Sequence, residues 1–165
     1  MASVTADPSQ VIVVFGASGD LARKKIYPTL WALFRDHALS DGCQIFGYAR
    51  SQLSVAKLRE KCAGTVRAER GEEEMLEKFW AANHYVAGSY DQKKDFELLN
   101  QEMAAVENNK ANRMFYLSLP PSVFKSVTSR LKVLKILILI SPHNCHILLL
   151  RNMSLNIKCI KCMLY

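Results

Sequence analysis

VIVVFGASGDLARKKIYPTLW, residues 11–31, sets the frame for the whole chain. Val11 to Phe15 is a continuous apolar, mostly β-branched run, the pattern of a strand covered on both faces. Gly16, Ala17, Ser18 and Gly19 then turn the chain. From Leu21 to about Asp36 the residues Leu21, Ile26, Leu30, Leu33 and Phe34 recur at helical spacing. Pro28 falls inside that pattern, where it removes a backbone donor and crowds the preceding turn, so the helix is expected to be irregular near its first two turns. A glycine turn between strand and helix aims unpaired N–H groups outward at the positive end of the helix dipole. Gly16 permits the tight turn, Gly19 lets a pyrophosphate approach the backbone, and Ser18 can add a hydroxyl. The usual dinucleotide fingerprint has three glycines and this turn has two. On these residues alone, a phosphate cradle and a plain connector both stay open.

The next strand narrows the choice. Cys43 to Ala49 (CQIFGYA) ends at Arg50-Ser51. In dinucleotide folds a carboxylate at that place favours NAD by holding the ribose hydroxyls. Here no carboxylate stands there, and a guanidinium offers a planar fork of donors to a 2′-phosphate. The expectation is therefore NADP rather than NAD, against the plainer reading of Arg50 as a solvated residue after a strand.

Further along, Val55, Leu58, Cys62 and Val66 form one helical stripe, and Met75, Leu76, Phe79 and Trp80 form another. His84 to Ala87 opens a short strand before Gly88, and Phe96, Leu99, Met103 and Val106 mark the next helical face. Arg113 to Leu119 is a strand stopped by Pro120-Pro121, after which Ser122 can cap a helix carrying Val123, Val127 and Leu131. Strands alternating with helices predict parallel strands joined by right-handed crossovers. The fold class expected is α/β, a Rossmann-like doubly wound parallel sheet that is incomplete at its C-terminal side.

Half of the 165 residues are hydrophobic, which suits a globular domain with a real core. The net charge of +7 is unevenly spread. Residues 131–165 contain Lys132, Lys135, Arg151, Lys158 and Lys161 and no acidic residue, leaving 17 basic against 15 acidic residues, +2, before them. A nucleic-acid partner is therefore not expected. The five cysteines have no regular spacing, so a reducing compartment is expected. MASVTADPSQ has neither a basic nor an apolar leader segment, which points to the cytoplasm. The run Ile136 to Ile140 is far too short to span a bilayer, which needs roughly 18 apolar residues, so no transmembrane segment is expected, and a peripheral membrane anchor in residues 131–165 is the least favoured reading. Cys159-x-x-Cys162 lacks a second ligand pair for zinc, with only His143 and His146 to substitute, and no metal is expected.

Taken in order, GASGDLARKKIYPTLW, GYARS, YVAGSYD and NRMFYLSLPPSVF resemble the N-terminal coenzyme domain of the glucose-6-phosphate dehydrogenase family. The resemblance covers residues 11 to about 131. It implies an NADP-dependent oxidoreductase of the pentose phosphate pathway, which oxidises glucose 6-phosphate to 6-phosphogluconolactone. It also implies that Gly16, Ala17, Ser18, Gly19, Asp20, Leu21, Ala22 and Arg23 line the dinucleotide and that Arg50 meets the 2′-phosphate. Phe124 departs from the family, which commonly has Tyr at that place. The family's E-K-P-F-G segment, whose lysine touches both substrates, and its R-I-D-H-Y-L-G-K-E segment, with the catalytic histidine, occur nowhere in the sequence. No catalytic residue is therefore assigned, because His37, His84, His143 and His146 lie in unrelated contexts. The expected organisation is a flexible N-terminus (1–10), an NADP-binding domain (11–130) and a tail outside the family pattern (131–165). Such a chain reads as a truncated form without turnover, or as an NADP-binding module that pairs with full-length subunits.

Overall fold

In the computed structural model the described residues are 10–40, 42–106, 111–133 and 147–150. Strand β1 (Gln10–Phe15) leads through the glycine turn into a π-helical turn, Ala22–Ile26, that continues as α1 (Tyr27–Arg35). Then follow β2 (Gln44–Ala49), α2 (Val55–Cys62), α3 (Glu73–Ala81), β3 (Asn83–Ala87), α4 (Lys93–Val106), β4 (Asn112–Leu117), α5 (Pro121–Val133) and β5 (Ile147–Leu150). The sheet order is β3-β2-β1-β4-β5, with the first four strands parallel and β5 antiparallel to β4.

β1 earns its central place by composition. Its residues Val11 to Phe15 are all buried, and they alternate between two cores. Val11, Val13 and Phe15 face α4 and α5 with Phe96, Leu99, Met103, Val127 and Leu131. Ile12 and Val14 face α1, α2 and α3 with Tyr27, Leu30, Leu58 and Phe79. Phe15 lies among Tyr48, Phe96 and Phe115, with ring centroids 5.1, 5.8 and 6.1 Å away. The expected continuous apolar run, covered on both faces, is what the fold contains.

The irregularity expected around Pro28 takes the form of the π turn. Tyr27 N–H donates to Ala22 O, five residues back. Pro28 has no N–H, so the Arg23 carbonyl loses its helical donor, and the Thr65 hydroxyl donates to it instead at 2.8 Å. The helix thus absorbs its proline by widening one turn and borrowing a hydroxyl from the loop after α2.

Several sequence expectations are corrected. β4 ends at Leu117, not Leu119: Ser118 N–H still donates to Phe15 O at 2.9 Å, but β1 ends at Phe15, so no strand continues beside Ser118 and Leu119. α5 begins at Pro121, so Ser122 sits within it and does not cap it; a proline suits the first turn, where an N–H would lack an acceptor anyway. Val66 is buried but lies past α2, which stops at Cys62. Leu21 and Val106 are exposed instead of lying on the apolar helix faces. Beyond β4 the sheet gains one strand from the tail, since an open strand edge is a row of unpaired N–H and C=O groups that either strand direction can satisfy. That strand is Ile147–Leu150; the ILILI run, His143, His146, Cys159 and Cys162 lie outside the described residues.

His84, on β3, is half-buried, stacks on Phe46 with centroids 4.5 Å apart, and holds Gln44 Oε1 through Nε2 at 2.7 Å. Burial keeps its imidazole below the ordinary 6.5, opposed by the Glu102 carboxylate. The fold therefore favours the neutral ring, while the unfolded chain takes up the proton first. The contribution is full above the unfolded value and is lost as pH falls through the folded one. Thermal stability should drop more steeply in the native chain than in His84→Gln as pH falls below the ordinary imidazole value of 6.5. Equal slopes in melts below that value would refute this.

Candidate functional site: the glycine turn at the switch point

β2 and β3 extend the sheet to one side of β1, and β4 lies on the other. The connections thus diverge at the C-terminal ends of β1 and β4, where doubly wound sheets open a crevice for ligands. The glycine turn sits in that crevice. Gly16 has φ +80°, and a Cβ there would lie 2.1 Å from the Ser118 carbonyl oxygen at the end of β4. Gly16 and Ala17 N–H both donate to Tyr48 O, at 2.8 and 3.3 Å, so these two amides brace the turn against β2 and are already engaged. Gly19 N–H closes the turn on Gly16 O at 2.9 Å.

The helix that follows makes its first recurrent bond from Arg23 N–H to Gly19 O, 3.1 Å. The N–H groups of Asp20, Leu21 and Ala22 precede that bond, in the first turn, where helix donors lack intrahelical acceptors and attract anions. A Cβ at Gly19 would come within 4 Å of one atom only, Gly16 O at 3.1 Å, so the surface beyond it is open to a ligand. This donor set, with the open face over Gly19, fits a pyrophosphate.

The side chains divide by burial. Ala17 and Ala22 are buried in the core, so only their backbone can face a ligand. Leu21 is 47% exposed, an apolar surface next to the turn. Asp20 pairs with Arg23 Nη2 at 2.7 Å and Lys24 Nζ at 2.8 Å, and both partners hold its carboxyl below the usual range, Lys24 most. A carboxylate here would repel a phosphate; with two cations on it, the cluster keeps a positive balance.

Arg50 and the turn are drawn together by residues on other strands. Ser18 Oγ and Ser51 Oγ are 3.2 Å apart. Tyr85 of β3 donates its hydroxyl to Ser51 O at 2.9 Å. Arg50 Cζ stands 5.8 Å from the centre of the Tyr90 ring. Burial raises the Tyr90 phenol, against the opposing pull of Arg50 and the Gly16 backbone. The structure therefore brings Gly16–Arg23 and Arg50 to one crevice, and adds Ser51, Tyr85 and Tyr90, which the sequence reading did not single out. Tyr85 and Tyr90 both lie in YVAGSYD, so the segment was visible, but their crossing to β1 and β2 depends on strand order. Phe124 packs at the edge of the core that includes Phe15.

The two histidines among the described residues lie elsewhere. His37 follows α1 with φ +53°, and His84 sits toward the opposite end of the sheet, beside Gln44 at the start of β2. Cys43 and Cys62 are buried, and burial pushes their thiols up to about 12 and about 11. Among the described residues no three His, Cys, Asp or Glu side chains are grouped to hold a metal ion, and no helix is long and apolar enough to cross a membrane.

A doubly wound sheet with a glycine turn at its switch point is the architecture of dinucleotide-binding α/β domains. The comparisons make this particular. The family model of the glucose-6-phosphate dehydrogenase NAD-binding domain matches residues 13–146, and the chain belongs to that family. It is 54% identical over 121 residues to glucose-6-phosphate 1-dehydrogenase of Drosophila melanogaster, covering 73% of this chain and 23% of the relative. It is 47% identical over 126 residues to the enzyme of that name from Caenorhabditis elegans, covering 74% and 24%. A solved glucose-6-phosphate dehydrogenase in complex with its substrate glucose-6-phosphate superposes with a TM-score of 0.68 at 37% identity, over 81% of this chain and 28% of that one. The chain spans about a quarter of the length of such relatives, and its cofactor class is a nicotinamide dinucleotide.

Proposed function

We propose that residues 11–130 bind NADP, with the pyrophosphate on the first helical turn after Gly19 and the 2′-phosphate on Arg50. The observation that carries this reading is the Ser18–Ser51 contact, which fixes the end of β2 against the glycine turn with a guanidinium, not a carboxylate, beside it. The backbone amides of Asp20, Leu21 and Ala22 orient the phosphates, and Leu21 shields one side of them from water. Arg23 and Lys24 offset Asp20 and leave room for the ligand's negative charge. When bound, NADP supplies a hydride acceptor.

The family activity, oxidation of glucose 6-phosphate to 6-phosphogluconolactone, needs a base within hydrogen-bond reach of the sugar hydroxyl. His37 and His84 lie away from the crevice, and the family's lysine and histidine segments are not among these 165 residues. We therefore infer that the chain holds coenzyme without turning over glucose 6-phosphate by itself. Titration of NADPH fluorescence should saturate, and a spectrophotometric assay with NADP and glucose 6-phosphate should yield no NADPH. Unsaturable binding would remove the coenzyme assignment; sustained NADPH formation would remove the binding-only reading. The cytoplasm remains the proposed location, and homo-oligomeric pairing with full-length subunits the proposed assembly.

A further inference from the structure

We propose that Tyr85 is a positioning residue that sets the preference for NADP over NAD by clasping the segment after β2; this rests on the NADP reading above. Tyr85 stands in register with Gly47 of β2. A Cβ at Gly47 would lie 2.7 Å from the Tyr27 hydroxyl oxygen, 3.0 Å from Ala17 Cβ and 3.1 Å from Tyr85 Cδ2, so the absent side chain leaves room for the Tyr27 hydroxyl, for Ala17 of the glycine turn and for the Tyr85 ring. At its far end the Tyr85 hydroxyl donates to Ser51 O at 2.9 Å. With Ser18 Oγ 3.2 Å from Ser51 Oγ, the phenol on β3 is tied through Ser51, after β2, to the glycine turn after β1.

The load of this clasp falls on Arg50. The glycine turn has backbone bonds of its own, from Gly16 and Ala17 to Tyr48 O and from Gly19 to Gly16 O. Residues 51–54 belong to no strand or helix, and they run from the end of β2 to α2, where the Ser54 side chain accepts from Lys57 N–H. Ser51 is thus held at its carbonyl by Tyr85, while the preceding guanidinium rests by the Tyr90 ring. An exposed arginine loses rotamer freedom when it grips a phosphate, and a fixed backbone reduces that loss. NADH has no 2′-phosphate, so it gains little from a poised Arg50. The Tyr85 hydroxyl consequently acts on discrimination and not on dinucleotide affinity in general.

The test is Tyr85→Phe, which keeps the ring over Gly47 and removes only the hydroxyl. The full chain and the variant are titrated with NADPH and with NADH, and in parallel digested with trypsin without ligand, following cleavage of the Arg50–Ser51 bond by mass spectrometry. The expected result is NADPH affinity weakened roughly three- to tenfold, the worth of one hydrogen bond, NADH affinity changed less than about twofold, and an unshifted melting temperature. Cleavage after Arg50 should quicken relative to other tryptic sites, because the segment opens more often. Equal weakening of both coenzymes overturns the specificity role, and unchanged cleavage overturns the clasp. A native chain that binds neither coenzyme removes the NADP reading and with it the specificity role, while the tryptic arm still decides the clasp.

Discussion

Gly16→Ala is expected to abolish NADPH binding and to lower the unfolding free energy by roughly 2–5 kcal/mol, through backbone strain and overpacking together. At φ +80° an alanine is strained wherever it points. Its Cβ would also lie 2.1 Å from Ser118 O, which is main chain and has no rotamer to escape into. If the end of β4 yields, the bond from Ser118 N–H to Phe15 O is lost. If the turn yields, the bond from Gly16 N–H to Tyr48 O is lost, and Ser18 moves away from Ser51. Gly19→Ala gives the contrast. There the Cβ meets only Gly16 O, at 3.1 Å, and the turn need give only by a few tenths of an ångström, so the stability cost should be much smaller than at Gly16 while the added methyl fills the space a pyrophosphate would use. Urea denaturation and NADPH fluorescence titration of the two variants separate these effects. A Gly16→Ala protein that unfolds and binds like the parent would show that the turn is not wedged against β4.

Why the first glycine carries the greater cost could not be read from the sequence. GASG is legible as a turn because an apolar run stops and a helical period begins around it. The Ser118 carbonyl that forbids a side chain at Gly16 comes from more than a hundred residues away, and only the order β2-β1-β4 brings it there. The same holds for the tyrosines. Periodicity places Tyr85 and Tyr90 on or after a strand, yet says nothing of the glycine at position 47 over which Tyr85 crosses. Pro28 shows the intermediate case. Its chemistry predicts a disturbed helix, and the disturbance is found, but its remedy depends on Thr65 arriving from another loop. Local grammar therefore recovers strands, helices and the glycine turn between them, while the contacts that brace the turn are set by packing. Leu21 marks the reverse error: helical spacing assigns it to the core, and the turn's geometry leaves it exposed beside the proposed ligand.

Arg50→Ala should weaken NADPH binding by roughly 10- to 100-fold and leave NADH within about twofold. A hydrogen bond to a charged group contributes about 1.5–3 kcal/mol, and each 1.4 kcal/mol is about tenfold in affinity. Folding should be almost untouched, since Arg50 is exposed and an exposed cation over an aromatic ring contributes only about 0.5–1 kcal/mol. Arg50→Lys keeps the charge but loses the planar fork, so its NADPH affinity should fall between the two. Arg50→Asp should go further and reverse the preference, because a carboxylate at the end of the second strand accepts from the ribose hydroxyls and repels a 2′-phosphate. Raising the salt concentration should erode NADPH binding of the native chain more than that of Arg50→Ala, since the lost term is electrostatic. If NADPH and NADH weaken alike across the three variants, Arg50 acts on the shape of the crevice and not on the phosphate, and the ground for choosing NADP disappears.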